Sequence, residues 1–181
     1  MEIKPTSIEG LLIIEPRVFK DDRGEFFESF NQVIFDKATD GKYHFVQDNQ
    51  SISKKNVLRG LHFQKPPYAQ GKLVRVIQGS VLDVAVDIRK DSITYGQYVS
   101  IELSAKNNKQ FFIPPGFAHG FIALENDTIF AYKCTNYYAP NYEGTIRWND
   151  PLLNIDWRNE SCLVSEKDKI GLDFCNFVSD F

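Results

Sequence analysis

Short runs of apolar or alternating residues recur along the chain, and turn-forming residues separate them. Runs of this length and spacing predict β-strands, and many such strands are typical of an all-β sandwich or barrel. We expect hairpin turns at Gly79 and at Asn126–Asp127. The predicted strands are Leu11–Ile14, Gly24–Phe30, Phe45–Ser51, Val57–Gln64, Lys72–Ile77, Ser80–Ile88, Gly96–Leu103, Gln110–Ile113, His119–Ala123 and Thr128–Thr135.

Helical patterns are rare. Asn31–Thr39 predicts one short early helix, and Ser165 with the acidic residues that follow resembles a capping box. The last third loses the strand regularity, so we expect a short irregular or helical C-terminal extension. Without an internal repeat or a low-complexity linker, residues 1–181 are predicted to form a single domain. Exposed edge strands favour a dimer over a monomer.

Composition narrows the class of protein. A net charge of -3 and a pI near 5.6 argue against nucleic acid or an anionic membrane as partner. The three cysteines, Cys134, Cys162 and Cys175, lack CxxC spacing, which indicates reduced thiols. The N-terminus lacks signal-peptide organisation, and no apolar run approaches the roughly 18 residues that span a bilayer. We therefore expect a cytoplasmic protein.

Arg59 and His62 stand out because they lie three residues apart in an otherwise apolar strand. In a regular strand they point to opposite faces, and Gly60 between them lets the backbone bend or approach a ligand closely. An imidazole is a candidate proton-transfer group, and a guanidinium is a candidate phosphate clamp. A structural histidine beside a surface arginine is the alternative interpretation.

The stretch Pro114–His119 has the Pro-x-Gly-x-x-His spacing of the second cupin motif. The chain therefore resembles a cupin jelly-roll β-barrel, in which that histidine often binds a metal. His44, His62 and His119 are the only histidines, and no local spacing adds a third ligand to His62 and His119. We expect no metal; a metal-dependent oxygenase is the alternative, and it would contain bound iron or manganese.

Longer blocks make the resemblance specific. They are Phe45–Asn49, Val57–Gln64, Gly71–Arg75, Asp83–Arg89, Pro115–Phe121, Tyr132–Tyr138, Trp148–Asp150 and Ser165–Asp168. In this order they resemble the dTDP-4-dehydrorhamnose 3,5-epimerase family, the sugar-nucleotide branch of the cupins. The resemblance implies epimerisation of dTDP-4-dehydro-6-deoxy-D-glucose at C3 and C5 to dTDP-4-dehydro-L-rhamnose, without a metal or cofactor.

This reaction needs a base, a cation beside the enolate and an acid on the opposite face of the sugar. The resemblance implies that His62 is the base and that Asp168 is its carboxylate partner. It places Lys72 near the C4 oxygen and makes Tyr132 the acid. Without the resemblance, Asp168 could be a helix N-terminal carboxylate, Lys72 a solvated rim residue and Tyr132 a core tyrosine. Asp83 is a candidate partner of Lys72.

The resemblance also implies a set of substrate-binding residues. Arg59 and Arg23 would hold the diphosphate through forked donors, and Tyr138 would stack on thymine. The segment that carries Arg23 would reach a neighbouring subunit's site, so activity would need a homodimer. The full set is Arg23, Phe26, Glu28, Gln47, Asp48, Asn49, Arg59, Lys72, His119, Tyr138, Glu143 and Lys167.

Other functions fit the same fold. A 3-epimerase would invert one centre, and a 3,4-ketoisomerase would move the ketone. A non-catalytic sugar- or nucleotide-binding cupin would bind without proton exchange, and the complete acid–base set argues against it. The double epimerase is the hypothesis favoured by Tyr132 and by the pair formed by His62 and Asp168.

Overall fold

Two β-sheets that face each other form the body of the protein in the computed structural model, which describes residues 1–159 and 161–181. The strands are β1 (Glu2–Pro5), β2 (Leu12–Glu15), β3 (Val18–Asp21), β4 (Gly24–Phe27), β5 (Gln47–Ser53), β6 (Val57–Gln64), β7 (Lys72–Gln78), β8 (Ser80–Asp87), β9 (Tyr98–Ser104), β10 (Gln110–Ile113), β11 (Phe117–Ala123), β12 (Thr128–Cys134), β13 (Glu143–Thr145) and β14 (Leu163–Val164). The helices are α1 (Gln32–Thr39) and α2 (Glu166–Lys169), with 3-10 turns at Pro140–Tyr142 and Phe174–Asn176.

The first sheet has the order β1-β2-β10-β7-β12-β5, and the second has the order β13-β6-β11-β8-β9. Within each sheet the neighbouring strands are antiparallel, while β14 adds to β6 in parallel and β3 pairs only with β4. From β5 to β8 the chain passes from one sheet to the other at each connection. This alternation makes a jelly roll, so the predicted all-β, cupin-type fold is confirmed.

The predicted hairpins at Gly79 and Asn126–Asp127 are wrong. Gly79 joins β7 to β8, and Asn126–Asp127 joins β11 to β12, and in both cases the two strands belong to different sheets. The chain does turn sharply, since Gly79 and Asp127 have φ of 77° and 54°. A local turn signal does not reveal which sheet receives the next strand.

The core has three parts. One cluster fills the space between the sheets and includes Val74, Phe121 and Phe130. A second cluster lies outside the second sheet, where Phe177 and other residues of the C-terminal extension cover it. A third packs α1 on the first sheet through Phe35. Because both faces of the second sheet are covered, every residue of β8 is buried.

Both predicted helix starts are confirmed. The Asn31 side chain accepts a hydrogen bond from the Ile34 N–H and caps α1, and Ser165 Oγ accepts from the Asp168 N–H at the start of α2. The short strands β1 and β3 were not predicted, because a four-residue polar strand carries little periodicity. Within residues 1–159 and 161–181, no helix is long and apolar enough to cross a membrane.

Candidate active site

The interior of the jelly roll opens into two adjoining cavities of about 330 and about 260 Å³. His62, Lys72 and Tyr132 line both, so the cavities meet at these three side chains. The larger one is further lined by Gln50, Ser51, Val57, Leu58, Arg59, His119, Phe121, Phe130, Leu163, Ser165, Lys167 and Asp168. The smaller one is further lined by Gln47, Asn49, Phe63, Gln64, Gln70, Tyr138 and Glu143.

A β-bulge in β6 sets the direction of the key side chains. His62 pairs with His119 of β11, whereas Arg59 pairs with Phe121, so two residues of β6 oppose the single residue Gly120. The extra residue brings Arg59 and His62 to the same, interior face. The expectation that they point to opposite faces is therefore wrong, because it assumed a regular strand.

Gly60 makes this bulge possible. Its φ is 145°, and a Cβ on Gly60 would lie 2.5 Å from the Cα of Gly120. The expected bend is present, and the close approach is to the neighbouring strand. The Gly60 N–H also points to Asp168 Oδ2 at 3.5 Å.

His62 and Asp168 form the tightest polar contact of the cavity, with 2.5 Å between His62 Nε2 and Asp168 Oδ1. Asp168 is buried, while His62 keeps a partly exposed edge in the cavity. Burial alone would raise the pKa of Asp168, but hydrogen bonds from His62, Gly60 and Ser165 bring the net pKa below its ordinary value. An ionised Asp168 accepts from Nε2–H, which leaves Nδ1 as the basic nitrogen.

A second histidine–carboxylate pair lies deeper. His119 Nε2 is 3.0 Å from both carboxylate oxygens of Asp83, and both side chains are buried. Burial lowers the pKa of His119, and Asp83 only partly offsets it. Asp83 thus has His119 as its hydrogen-bond partner, not Lys72 as the sequence suggested. Lys72 still lies within reach of the Asp83 charge.

Lys72 and Tyr132 lie on neighbouring strands of the first sheet, and both face the interior. Burial lowers the pKa of the Lys72 ammonium, and nearby Cys134, Asp83 and Glu143 oppose that shift. The Lys72 side chain therefore lines the cavity and is not a solvated residue at its rim. Burial raises the pKa of Tyr132, which keeps its phenol protonated at neutral pH.

The smaller cavity holds a connected group of polar side chains. Glu143 Oε2 accepts from Tyr138 Oη at 2.9 Å and pairs with Lys167 Nζ at 2.6 Å. Gln47 Oε1 accepts from the Tyr138 N–H, and Gln47 Nε2 donates to Asn49 Oδ1. The alternation of β5 places Gln47 and Asn49 inward and Asp48 outward.

Four predicted binding residues lie away from both cavities in the chain as described. Asp48 is exposed and pairs with Lys133 at 3.0 Å. Arg23 and Phe26 lie on the projecting β3–β4 hairpin, where Arg23 pairs with Asp21 and Phe26 is 72% exposed. Glu28 follows the hairpin and accepts from Asn31 Nδ2.

Several cavity residues were not predicted. Ser51, which lines the larger cavity, and Ser53, which bonds to Arg59, face inward from β5, so strand alternation could have identified both. Buried Gln64 donates to the carbonyls of Tyr68 and Tyr137 and accepts from the Ala139 N–H, contacts that no local pattern predicts. Among the described residues, no group of three or more His, Cys, Asp and Glu side chains could hold a metal ion.

A jelly roll with an interior cavity that carries a histidine–carboxylate pair, an ammonium and a phenol defines a cupin-type enzyme equipped for acid–base chemistry. Comparison with known proteins identifies the family of this enzyme. The chain belongs to the dTDP-4-dehydrorhamnose 3,5-epimerase family, whose model matches residues 5–175.

Individual relatives agree with this assignment. The dTDP-4-dehydrorhamnose 3,5-epimerase of Salmonella typhimurium is 57% identical over 157 residues, which cover 87% of this chain and 86% of that protein. The Legionella pneumophila dTDP-6-deoxy-D-glucose-3,5-epimerase, in complex with dTDP-4-keto-L-rhamnose, matches with a TM-score of 0.91 at 49% identity, covering 95% and 92% of the chains. A 3'-monoepimerase from Streptomyces bikiniensis matches at 0.88 with 31% identity, covering 93% and 86%.

Proposed function

We propose that this enzyme epimerises dTDP-4-dehydro-6-deoxy-D-glucose at C3 and C5 and forms dTDP-4-dehydro-L-rhamnose. The observation that carries the proposal is the convergence of His62, Lys72 and Tyr132 where the two cavities meet. The named activity of relatives at 51–57% identity supports the same substrate.

The proton moves first to His62. The C4 ketone acidifies the hydrogens on C3 and C5, and the neutral imidazole removes one of them. The electron pair of the broken C–H bond moves onto the C4 oxygen, where the Lys72 ammonium stabilises the enolate. Asp168, only 2.5 Å from the ring, stabilises the imidazolium and holds its orientation.

Tyr132 completes each inversion by returning a proton to the opposite face of the same carbon. Burial keeps its phenol protonated, so the group can act as an acid at neutral pH. The tyrosinate then takes up a proton and His62 releases one before the second carbon reacts. Thus one set of groups serves both centres, because both centres flank the same ketone.

The nucleotide would bind against the other side chains that line the two cavities. Arg59 and Lys167 lie in the larger cavity and supply cations for the diphosphate. Tyr138, Gln47, Asn49 and Glu143 lie in the smaller one, where Tyr138 offers an aromatic face to thymine. His119 also lines the larger cavity, with its Nε2 turned to Asp83.

A homodimer is part of the proposal. Arg23, Phe26 and Glu28 are binding residues by resemblance, yet they line neither cavity of their own described chain. Their exposed hairpin, which carries Phe19 and Phe26 at 52% and 72% exposure, is suited to reach a second subunit. The location that we propose is the cytoplasm, in keeping with three free thiols.

A single-centre epimerase is the second candidate, because the Streptomyces bikiniensis monoepimerase shares the fold at a TM-score of 0.88. Product analysis separates the two. The enzyme is incubated with dTDP-4-dehydro-6-deoxy-D-glucose, the ketone is reduced with borohydride, and the released 6-deoxyhexoses are resolved on a chiral column. L-configured sugars arise only when C5 inverts and support the proposal, whereas D-sugars inverted at C3 alone support the monoepimerase.

A further inference from the structure

Ser51 presents an unusual combination of position and bonding. It lines the larger cavity with Arg59, His62 and Asp168. Its Oγ is nevertheless buried, and within residues 1–159 and 161–181 it has no hydrogen-bond partner. A buried hydroxyl without a partner lowers stability, so a partner that arrives with the ligand would explain its presence.

The polar residues that share the inward face of β5 with Ser51 have hydrogen-bond partners. Gln47 and Asn49 bond to each other, and Ser53 Oγ accepts from Arg59 Nε at 3.3 Å. Because alternate residues of a strand share a face, Ser51 lies between the Asn49 and Ser53 positions on the same interior wall.

The Arg59 side chain contacts this wall at Ser53. Its Nε is held at Ser53, while its charge also acts on the phenol of Tyr132, which pairs with Asn49 across the sheet. Ser51, two residues from Ser53 on the same face of β5, lines the same cavity as Arg59. Phe121 and Phe130, whose ring centroids are 4.1 Å apart, line the same cavity and offer the Ser51 hydroxyl no acceptor that would compete with an anion.

We propose that Ser51 is a substrate-binding residue whose hydroxyl donates a hydrogen bond to a diphosphate oxygen that Arg59 also binds. This inference rests on the proposed function, since it needs a nucleotide diphosphate as ligand. Rotation about the Ser51 Cα–Cβ bond between staggered positions would bring the hydroxyl toward the cavity that this residue lines. This rotation breaks no existing hydrogen bond in the part of the chain that the structure describes.

The test measures binding of dTDP and of dTDP-glucose to the full-length enzyme by titration calorimetry. Ser51→Ala should raise the Kd of both ligands by roughly tenfold, the size expected for a hydrogen bond to an anionic oxygen. Ser100→Ala is the matched control, because Ser100 is an exposed serine of β9. It should bind both ligands like the wild type.

Thermal unfolding without ligand separates binding from a structural role. The unliganded Ser51→Ala enzyme should melt no lower than the wild type, because the lost hydroxyl had no partner. An unchanged Kd for dTDP would overturn the inference, as would weakening confined to dTDP-glucose, which would place the contact on the hexose. A lower melting temperature of the unliganded variant would also overturn it. Failure of the wild type to bind dTDP would overturn the proposed function and this inference together.

Discussion

The Nε2 atom of His62 lies 2.5 Å from Oδ1 of Asp168, although 106 residues separate the two along the chain. Asp168 comes from α2, which follows the strand-rich body, and His62 comes from the bulged strand β6. The contact thus ties the C-terminal segment to the barrel, and it fixes which nitrogen of the histidine is basic. The role of this contact in catalysis can be tested by substituting either residue.

Replacing Asp168 with asparagine should lower kcat by about 100-fold, because an amide cannot stabilise the imidazolium. KM should change little. Asp168→Asn should also be less stable than the wild type at neutral pH. Since the folded-state pKa of Asp168 is lowered, its stabilising effect is present above pH 3.8 and is lost as the pH falls below that value.

The measurement combines steady-state kinetics with urea unfolding at several pH values. Asp91→Asn is the control, because Asp91 is an exposed carboxylate far along the chain from α2. A stability difference between Asp168→Asn and wild type that grows on acidification would contradict the account.

Lys72→Met should lower kcat by about 100-fold to 1000-fold, the range found when a preorganised group beside an oxyanion is removed. The same variant should unfold at a higher temperature, because burial penalises the ammonium charge. Lys106→Met, at an exposed position, should change neither quantity. Loss of both activity and stability would indicate a structural role for Lys72.

The pH dependence of Lys72→Arg provides a second test of the role of Lys72. Burial lowers the pKa of Lys72 below 10.5, so wild-type activity should fall as the pH rises through that lowered value. Arginine stays protonated there, so the alkaline limb of Lys72→Arg should move to higher pH. If the alkaline limb does not move, a group other than Lys72 is responsible for it.

Tyr132→Phe should separate proton removal from inversion. His62 can still remove a proton and return one to the same face, so solvent hydrogen should continue to exchange into the substrate. Formation of the inverted product should fall by about 100-fold or more. Tyr95→Phe, which alters a tyrosine packed on Phe174, is the control. Equal loss of exchange and product would show that Tyr132 is needed for proton removal itself.

Mixing two inactive variants tests the shared site. If Arg23 serves the neighbouring subunit, a heterodimer of Arg23→Ala and His62→Asn contains one intact site and one site with both changes. After random exchange of subunits, about a quarter of the wild-type activity should return. Each variant alone should stay inactive. If activity does not return although heterodimers are detected by mass spectrometry, Arg23 acts within its own chain or not at all.

Regular elements were predictable because their signals are local. β6 and β10 have the predicted bounds Val57–Gln64 and Gln110–Ile113, and the helix predicted over Asn31–Thr39 is present as α1. The grouping of Arg59 with His62 was not predictable from alternation. It depends on a bulge stabilised where Gly60 meets Gly120 of another strand, a contact between distant parts of the sequence.

The hydrogen-bond partners of charged groups were harder to predict than the strands. Asp83 bonds to His119 because β8 and β11 are neighbours in one sheet, whereas Lys72 lies across the barrel in the other. Sequence similarity to the family predicted a set of site residues, and most of them line the two cavities. It did not indicate that Asp48 points outward or that Ser51 and Gln64 line the cavity walls.

Deuterium incorporation tests the double epimerisation most directly. The enzyme is incubated with dTDP-4-dehydro-6-deoxy-D-glucose in D2O, and C3 and C5 are followed by NMR, with His62→Asn and the exposed-site control His44→Asn in parallel. We predict deuterium at both carbons with the wild type and with His44→Asn, and at neither carbon with His62→Asn. Deuterium at C3 alone in the wild type, or exchange that persists in His62→Asn, would contradict the account.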